Sequence, residues 1–301
     1  MSFDWNRKLL KYSLCGALKP DRFTPLVQGL SKAALDTRKG GRNDRHNVHV
    51  MMQYAVAVGF ALNLDRVEAV LELGTGYSSL LWGTLKQDGT RVWSVDGKPL
   101  ANYDIREPLE AVANKVDFVN GATLTNDHYR AFYDGQSKAR FLGCPAAAIR
   151  EHLDTFITAQ PGPYAETLAL PGDPHQLRKA VLERLFEGDS LRCLSQVLPE
   201  DCEADARFCS SAGPTALDHV LSQAKAFDAV FYDCGEFSTM VEWELTNHLI
   251  RPGGLAVFHD VYFPKSVKTF LICAALCASQ EWDVLYRDAT TPQGLFIARK
   301  K

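Results

Sequence analysis

The chain has 301 residues, 46% of them hydrophobic, and a formal net charge of −3. This length suffices for one large domain with an elaboration or for two small domains. The sequence has no basic stripe, which argues against a nucleic-acid partner, and no apolar run long enough to span a membrane. Its eight cysteines include no CxxC pair. With no recognisable signal peptide, these features predict a reduced, cytoplasmic protein.

The first 66 residues are predicted to form a helical extension. Apolar residues recur at helical spacing over three stretches, namely 5–18, 25–35 and 48–62. A polar, glycine-bearing loop is expected over 36–44, and the basic cluster that begins at Arg38 is interpreted as a solvated surface rather than an anion site. The simplest expectation is a purely structural role, in which these helices pack on the edge of a sheet.

A glycine turn between two predicted strands is the most informative local pattern. An apolar run predicts a buried strand over 70–73, Gly74 and Gly76 break it, and a helix is predicted directly afterwards. A second strand over 92–95 ends at Asp96, twenty residues after Gly76. Small residues admit a ligand close to the backbone, a helix N-terminus offers free N–H groups, and a carboxylate at the next strand tip can bind ribose hydroxyls. The pattern therefore predicts a site for a nucleotide-like ligand.

The segment that follows Asp96 is longer than a minimal sheet of this kind requires. It contains helical patterns, and we expect residues 98–204 to be a helical insertion that acts as a lid or selects the substrate, or else a structural insert. Two stretches could supply a third strand, 116–119 and 206–210. The second gives the more compact connection to the next strand and is favoured.

Acidic residues follow two further predicted strands. The apolar run over 227–232 ends at Asp233, and the run over 255–258 comes after a Pro-Gly-Gly turn and ends at His259 and Asp260. Two last strands, joined by a short polar loop, are predicted over 282–286 and 294–298. Because ligands bind outside the carboxyl ends of parallel strands, the three polar residues are expected beside the glycine turn.

The segment Glu72-Leu73-Gly74-Thr75-Gly76-Tyr77-Ser78 resembles the first motif of class I S-adenosylmethionine-dependent methyltransferases, in which an acid stands two residues before the first glycine. The later strands and turns follow the family's order, so that the match covers 67–97 and 205–300. The resemblance implies an α/β, Rossmann-like fold with a mostly parallel seven-stranded sheet and helices on both faces. It also implies a methyltransferase domain over 67–301, interrupted by the insertion, and an extension over 1–66 that covers the cofactor or forms a homodimer contact.

The cofactor implied by this resemblance is S-adenosyl-L-methionine. The nicotinamide fingerprint wants a third glycine where this chain has Ser79, so that match is incomplete. Gly74 and Gly76 are expected to pass the methionine part of the cofactor, and Asp96 to hold its ribose hydroxyls. The full set of predicted cofactor-binding residues is Glu72, Gly74, Thr75, Gly76, Tyr77, Ser78, Asp96, Ser210 and Asp233.

The predicted catalytic residues are Asp233, His259 and Asp260. A hydroxyl acceptor needs a base, and either His259 or Asp233 is the candidate. The chain is also similar to the caffeoyl-CoA and macrocin types of O-methyltransferase, in which an acid after the fourth strand and an acidic pair after the fifth bind Mg²⁺ or a similar ion. Asp233 and Asp260 match two of these positions, whereas Val261 stands where the family has a second Asp or Asn. The metal is therefore left open.

The function that follows is methylation of a small molecule, at oxygen first and at nitrogen second. The resemblance points to a specialised metabolite or a sugar as the acceptor. Two alternatives from other classes stay open, an NAD-dependent oxidoreductase on a Rossmann sheet and a non-catalytic protein that binds the cofactor.

Overall fold

The computed structural model describes residues 44–135, 140–141, 143–158, 160, 162–289 and 293–301. The helices predicted over 5–18 and 25–35, and the basic cluster over 38–42, lie outside these residues. Within the described ranges, no helix is both long and apolar enough to cross a membrane.

The described strands are, in chain order, β1 (Ala69–Leu73), β2 (Arg91–Asp96), β3 (Asp117–Asn120), β4 (Arg140–Phe141), β5 (Cys144–Pro145), β6 (Phe186–Glu187), β7 (Ser190–Leu191), β8 (Phe227–Tyr232), β9 (Ile250–His259), β10 (Trp282–Asp288) and β11 (Leu295–Lys300). The described α-helices are α1 (Asp44–Leu62), α2 (Tyr77–Leu85), α3 (Arg106–Ala111), α4 (Asn126–Gly135), α5 (Ala146–Leu153), α6 (Pro163–Thr167), α7 (Pro174–Leu185), α8 (Leu194–Val197), α9 (Pro199–Ala206), α10 (Ala216–Gln223), α11 (Ser238–Thr246) and α12 (Phe270–Ala278). Short 3₁₀ turns lie at Leu100–Asn102, Asp154–Phe156 and Asn247–Leu249.

Seven strands form one sheet in the order β10-β11-β9-β8-β1-β2-β3. Neighbouring strands from β9 to β3 pair in parallel, whereas β11 pairs antiparallel with both β9 and β10. The short pairs β4–β5 and β6–β7 lie outside this sheet. The predicted fold, a mostly parallel seven-stranded sheet closed by an antiparallel pair at one edge, is confirmed.

The middle of the sheet is buried on both faces. All residues of β1 and β8 are buried, as expected for apolar parallel strands that helices cover on both sides. On one face, Val70 and Phe231 pack with Trp82 of α2 and with helix α1. On the other face, Leu71 and Val230 pack with α10, α11, α12 and the extra helices. The helix predicted over 48–62 is thus present as α1, and it forms part of the core.

The third strand differs from the favoured prediction. Residues 117–120, not 206–210, pair in parallel with β2, from Trp93 opposite Asp117 to Asp96 opposite Asn120. Residues 97–116 give a crossover long enough for a parallel pair. The stretch 206–210 instead begins at the last residue of helix α9 and continues beyond it, and Phe208 within it is 76% exposed. The prediction that favoured 206–210 was therefore wrong. It was based on the length of the connection to the next strand, whereas β3 lies at the edge of the sheet and is defined by its pairing with β2.

The extra segment consequently begins later than expected. Because β3 lies within 98–204, the material beyond the minimal fold occupies 121–215, between β3 and α10. It contains α4 to α9 and the two small strand pairs. It joins the main sheet layer through a backbone bridge between Ile157 and Phe263 and through Asp205, whose carboxylate accepts hydrogen bonds from the backbone N–H groups of Phe237 and Ser238 at the start of α11. These contacts fasten it beside the carboxyl ends of β8 and β9.

Candidate functional site

The glycine turn after β1 is closed on one side and open on the other. Gly74 has a φ of +103°, and a Cβ atom there would lie 2.3 Å from the carbonyl oxygen of Asp233. Its N–H donates to the carbonyl of Val95 at 2.9 Å. Only glycine fits both the backbone conformation and this close approach. Gly76 has extended backbone, and a Cβ atom there would meet no heavy atom within 4 Å. No protein contact among the described residues therefore requires glycine at 76, which leaves room for a ligand against this backbone.

A buried polar network supports the turn from beneath. Glu72 is fully buried, and its Oε2 accepts a hydrogen bond from the Ser79 hydroxyl at 2.6 Å. The same Ser79 oxygen accepts from the N–H of Gly76 at 3.1 Å and lies 3.1 Å from the Ser94 hydroxyl. Burial raises the pKa of Glu72 from its ordinary value of 4.5 to about 7, although hydrogen bonds from Ser78, Ser79 and Ser94 oppose the shift. Glu72 thus organises the turn from inside the fold.

Asp96 at the tip of β2 is held by two backbone groups. Its Oδ2 accepts from the N–H of Thr75 at 3.0 Å and its Oδ1 from the N–H of Lys98 at 2.7 Å. The Tyr103 hydroxyl lies close by, and burial together with a hydrogen bond to Asp96 raises the pKa of Tyr103. A carboxylate has about four acceptor positions. Asp96 is therefore oriented by the chain and keeps acceptor capacity for hydroxyl groups of a ligand.

Three further predicted cofactor residues, Thr75, Tyr77 and Ser78, lie in the turn and at the start of helix α2. Thr75 is part of the turn, and its hydroxyl lies 2.8 Å from that of Ser94. Tyr77 and Ser78 begin helix α2, where Tyr77 is half-buried and Ser78 is buried. The side chains of Thr75 and Ser78 thus belong to the network below the turn.

Ser210 does not end a strand of the main sheet, so the predicted strand over 206–210 is wrong; Ser210 forms an isolated bridge with Thr125, after β3. Its N–H donates to the carbonyl of Leu124 at 2.8 Å, and its own carbonyl accepts from the N–H of Asn126 at 2.9 Å. It therefore belongs to the extra segment. The residue that follows β3 is Gly121, whose N–H donates to the carbonyl of Asp96 at 3.0 Å.

Two carboxylates and a lysine meet at the tips of β8 and β9. Asp233 directly follows β8, and Asp260 directly follows β9. The ammonium Nζ of Lys268 lies 2.7 Å from Asp233 Oδ1 and 2.9 Å from Asp260 Oδ2. Lys268 is buried, and its two partners hold its pKa well above the usual value although burial alone would lower it. The ion pairs also lower the pKa of both Asp233 and Asp260 against the opposing effect of burial. The sequence predicted the two acids and missed the lysine.

His259, the last residue of β9, faces the same carboxylates. Its Nδ1 lies 3.6 Å from Asp233 Oδ1 and 3.5 Å from Asp260 Oδ1, and its Nε2 lies 3.2 Å from Oε1 of Gln53. Burial lowers the pKa of His259, but the two carboxylates outweigh it and the pKa rises to about 9. The raised pKa favours the protonated form of the ring, which donates protons and does not accept them. This electrostatic setting disfavours the predicted role of His259 as a base.

Helix α1 contributes to this cluster. The hydroxyl of Tyr54 donates to Asp233 Oδ2, and its ring lies 4.9 Å from that of His259, measured between centroids. Gln53, besides meeting His259, donates from Nε2 to Asp288 Oδ2 at 3.1 Å. Sequence reasoning missed both residues, since an aromatic residue and an amide on an apolar helix carry no signal of a site.

The residues predicted to bind a metal are close together but do not fit Mg²⁺. Donor atoms of Asp233, His259 and Asp260 lie within 4.8 Å of one another. However, the Lys268 ammonium bonds to both carboxylates and stands where an ion between them would stand. Magnesium also prefers oxygen ligands, whereas the neighbouring side chains are His259, whose raised pKa favours the protonated form, and Val261, which has no donor atom. These residues therefore form a carboxylate–lysine cluster rather than a magnesium site.

A second concavity lies at the opposite, amino-terminal ends of the strands. It is an open depression of about 1060 Å³, and Asp228 and Arg251 are among its lining residues. These two side chains form an ion pair at 2.7 Å, and Asp228 also accepts from the N–H groups of Glu68 and Ala69. The charges there serve the packing of β1 and β8, so the site at the carboxyl ends is the better functional candidate.

No protein-family model matches the chain, and no curated protein matches it. Solved structures similar to it include an O-methyltransferase, TomG from Streptomyces achromogenes, involved in tomaymycin synthesis and in complex with S-adenosylmethionine, with 15% identity and a TM-score of 0.41 over 91% of this chain and 89% of that chain. Another is the O-methyltransferase from Bacillus cereus in complex with S-adenosylhomocysteine, with 11% identity and a TM-score of 0.38 over 92% and 91% of the two chains. The sequence identities and TM-scores of these pairs are low. The class I methyltransferase fold is therefore assigned from the strand order and the glycine turn of the chain itself.

Proposed function

We propose that the chain is an S-adenosylmethionine-dependent methyltransferase that acts on an oxygen atom of a small molecule. The observation that carries this proposal is the cradle formed by Gly76 and Asp96 at the carboxyl ends of β1 and β2. Gly76 has open space where a side chain would stand, and Asp96 is fixed by two backbone N–H groups with acceptor capacity left over. Both features fit a nucleoside whose ribose hydroxyls bind a carboxylate at a strand tip.

The same cradle adjoins the carboxylate–lysine cluster. The carbonyl of Asp233 lies against Gly74, and the N–H of Asp233 donates to the carbonyl of Leu73 at 2.7 Å. A molecule seated on the glycine turn would therefore have charged side chains next to it. When bound, S-adenosylmethionine supplies an electrophilic methyl group, and the protein has to orient the acceptor toward it. Lys268 and Asp233 are the groups that would do so.

The acceptor we propose is a hydroxylated small molecule of the kind found among specialised metabolites and sugars. The extra segment over 121–215 supports this, because it is fastened beside the tips of β8 and β9 through Ile157 and Asp205. Segments placed outside the carboxyl ends of parallel strands commonly shape the pocket for the second substrate. We propose that this segment is the one that selects the acceptor.

Calorimetric titration of the full chain with S-adenosylhomocysteine tests the proposal. We expect the wild type to bind, and Asp96→Ala to bind at least about tenfold more weakly, since a hydrogen bond to a charged group contributes about 1.5–3 kcal/mol. Gly76→Val should abolish binding without loss of stability, because its side chain would enter the open space. Gly172→Val is the matched control, since Gly172 also faces open space but lies in the extra segment.

The same titration separates the alternatives. Heat with NADH and none with S-adenosylhomocysteine would identify an oxidoreductase and contradict the proposal. Binding of S-adenosylhomocysteine without transfer of a labelled methyl group to any compound in a broad panel of hydroxylated acceptors would indicate a non-catalytic protein. Transfer to amines alone would move the acceptor atom from oxygen to nitrogen.

A further inference from the structure

The cluster at the tips of β8 and β9 contains its own cation. Asp233 and Asp260 follow two neighbouring parallel strands, so their carboxylates converge. The Lys268 ammonium lies between them, 2.7 Å from one and 2.9 Å from the other. These are the two acids that the sequence assigned to a divalent ion.

The position of Lys268 is built by the loop that carries it. Glu236, which is half-buried, accepts hydrogen bonds from the Ser266 hydroxyl at 2.7 Å and from the N–H of Val267 at 2.8 Å. The Ser266 oxygen in turn accepts from the N–H of Lys268 at 3.1 Å. A chance surface ion pair has no such support, because it is free to adopt many side-chain conformations. The ammonium is therefore fixed by its own backbone as well as by its two partners.

The conformation of Asp260 belongs to the same arrangement. It is a non-glycine residue with a φ of +56°, in the left-handed region that such residues adopt at a cost. Its carbonyl accepts from the Thr269 hydroxyl at 3.2 Å, on the residue next to Lys268. The turn after β9 thus directs the Asp260 carboxylate and the Lys268 ammonium toward each other.

Charge and geometry together exclude a second cation. A lysine ammonium is charged at neutral pH without any special environment. A divalent ion bound to the same oxygen atoms would lie within a few ångströms of it, and buried charges repel strongly at that distance. Lys268 is only 8% exposed, and a movement of its ammonium away from the site would break both ion pairs.

We propose that Lys268 takes the place of a divalent ion, so that the chain is a metal-independent methyltransferase in which this ammonium orients the acceptor oxygen. An ammonium has three N–H donors, and two of them are used by Asp233 and Asp260. The third has no hydrogen-bond partner among the described residues, and it is available to an oxygen of the acceptor. The role toward the acceptor rests on the proposed function, whereas the exclusion of a metal rests on the ion pairs alone.

Titration of the full chain with Mn²⁺, followed by the electron paramagnetic resonance signal of the free ion, tests the inference. We expect the wild type to bind no more Mn²⁺ than an Asp260→Asn variant. Lys268→Ala should bind Mn²⁺ at least about tenfold more tightly than the wild type, since it frees the two carboxylates as ligands. Lys268→Ala combined with Asp260→Asn should lose this gain. Lys265→Ala, in the same loop, is the matched control and should behave as the wild type.

Stoichiometric binding of Mn²⁺ by the wild type, abolished in Asp260→Asn, would overturn the inference, and this comparison needs no lysine variant. A folded Lys268→Ala that gains no Mn²⁺ would also overturn it, because the ammonium would then not stand at a site for an ion. Calorimetry with S-adenosylhomocysteine in the presence of a chelator keeps the two proposals apart. Unchanged binding with chelator is expected, absent binding would contradict the proposed function, and Mn²⁺ binding alone would contradict only the present inference.

Discussion

Glu72→Gln should change how the stability of the protein depends on pH. Glu72 is fully buried below the glycine turn, and its pKa is raised by burial from 4.5 to about 7. A carboxyl group with a raised pKa stabilises the fold fully below its unfolded value, and this contribution is lost as the pH rises through the folded value. A shift from 4.5 to 7 corresponds to about 3 kcal/mol. The loss should therefore develop between about pH 4.5 and pH 7.

Glutamine mimics the protonated acid, so the variant should match the wild type at about pH 4, below the unfolded pKa, and exceed it by up to about 3 kcal/mol at about pH 8. Urea unfolding of both proteins across this pH range measures the difference, and titrations elsewhere in the chain cancel in the comparison. Glu244→Gln, on an exposed side chain, is the control and should follow the wild type at each pH. A constant difference between Glu72→Gln and the wild type from pH 5 to pH 8 would refute the reasoning.

Three further substitutions test the packing around the site, each by urea unfolding. Gly74→Ala should destabilise the fold by at least about 2 kcal/mol, because it combines a strained φ with a clash against Asp233. Gly172→Ala is the control and should stay within about 1 kcal/mol of the wild type. Equal effects of the two substitutions would show that the turn does not require glycine at position 74. Asp205→Ala should cost about 1 kcal/mol, since its carboxylate caps helix α11, and no loss would show that the extra segment is not fastened there. Tyr54→Phe should lower the free energy of unfolding by about 2 kcal/mol, because the hydrogen bond to the Asp233 carboxylate is lost. An unchanged unfolding midpoint would show that Tyr54 of helix α1 does not bind this carboxylate.

The parts of the fold that could be predicted from the sequence are those with strong local patterns. The strand before Gly74 is apolar except for Glu72, because it is covered on both faces. Glycine is required at position 74 because the backbone there has a positive φ. The third strand was placed wrongly because β3 is an edge strand, whose end residues Asp117 and Asn120 are exposed and give it little apolar pattern. Its identity depends on pairing with β2, which periodicity does not report.

The site was predictable only in its acidic members. Asp233 and Asp260 end apolar strands, and that position marks them. Lys268 lies eight residues beyond Asp260, and it reaches the cluster only because the chain turns at a left-handed residue and is held there by Glu236. Tyr54 comes from a helix whose packing on the sheet is a tertiary property. Contacts of this kind depend on the folded chain, and spacing along the sequence does not reveal them.

A crystal structure of the full chain grown with S-adenosylhomocysteine would show directly whether the glycine turn and Asp96 bind the cofactor. We expect the ribose hydroxyls within hydrogen-bond distance of the Asp96 carboxylate and the homocysteine part of the ligand against Gly76, with the Lys268 ammonium still between Asp233 and Asp260. A ligand bound elsewhere, or a ribose that does not contact Asp96, would contradict it.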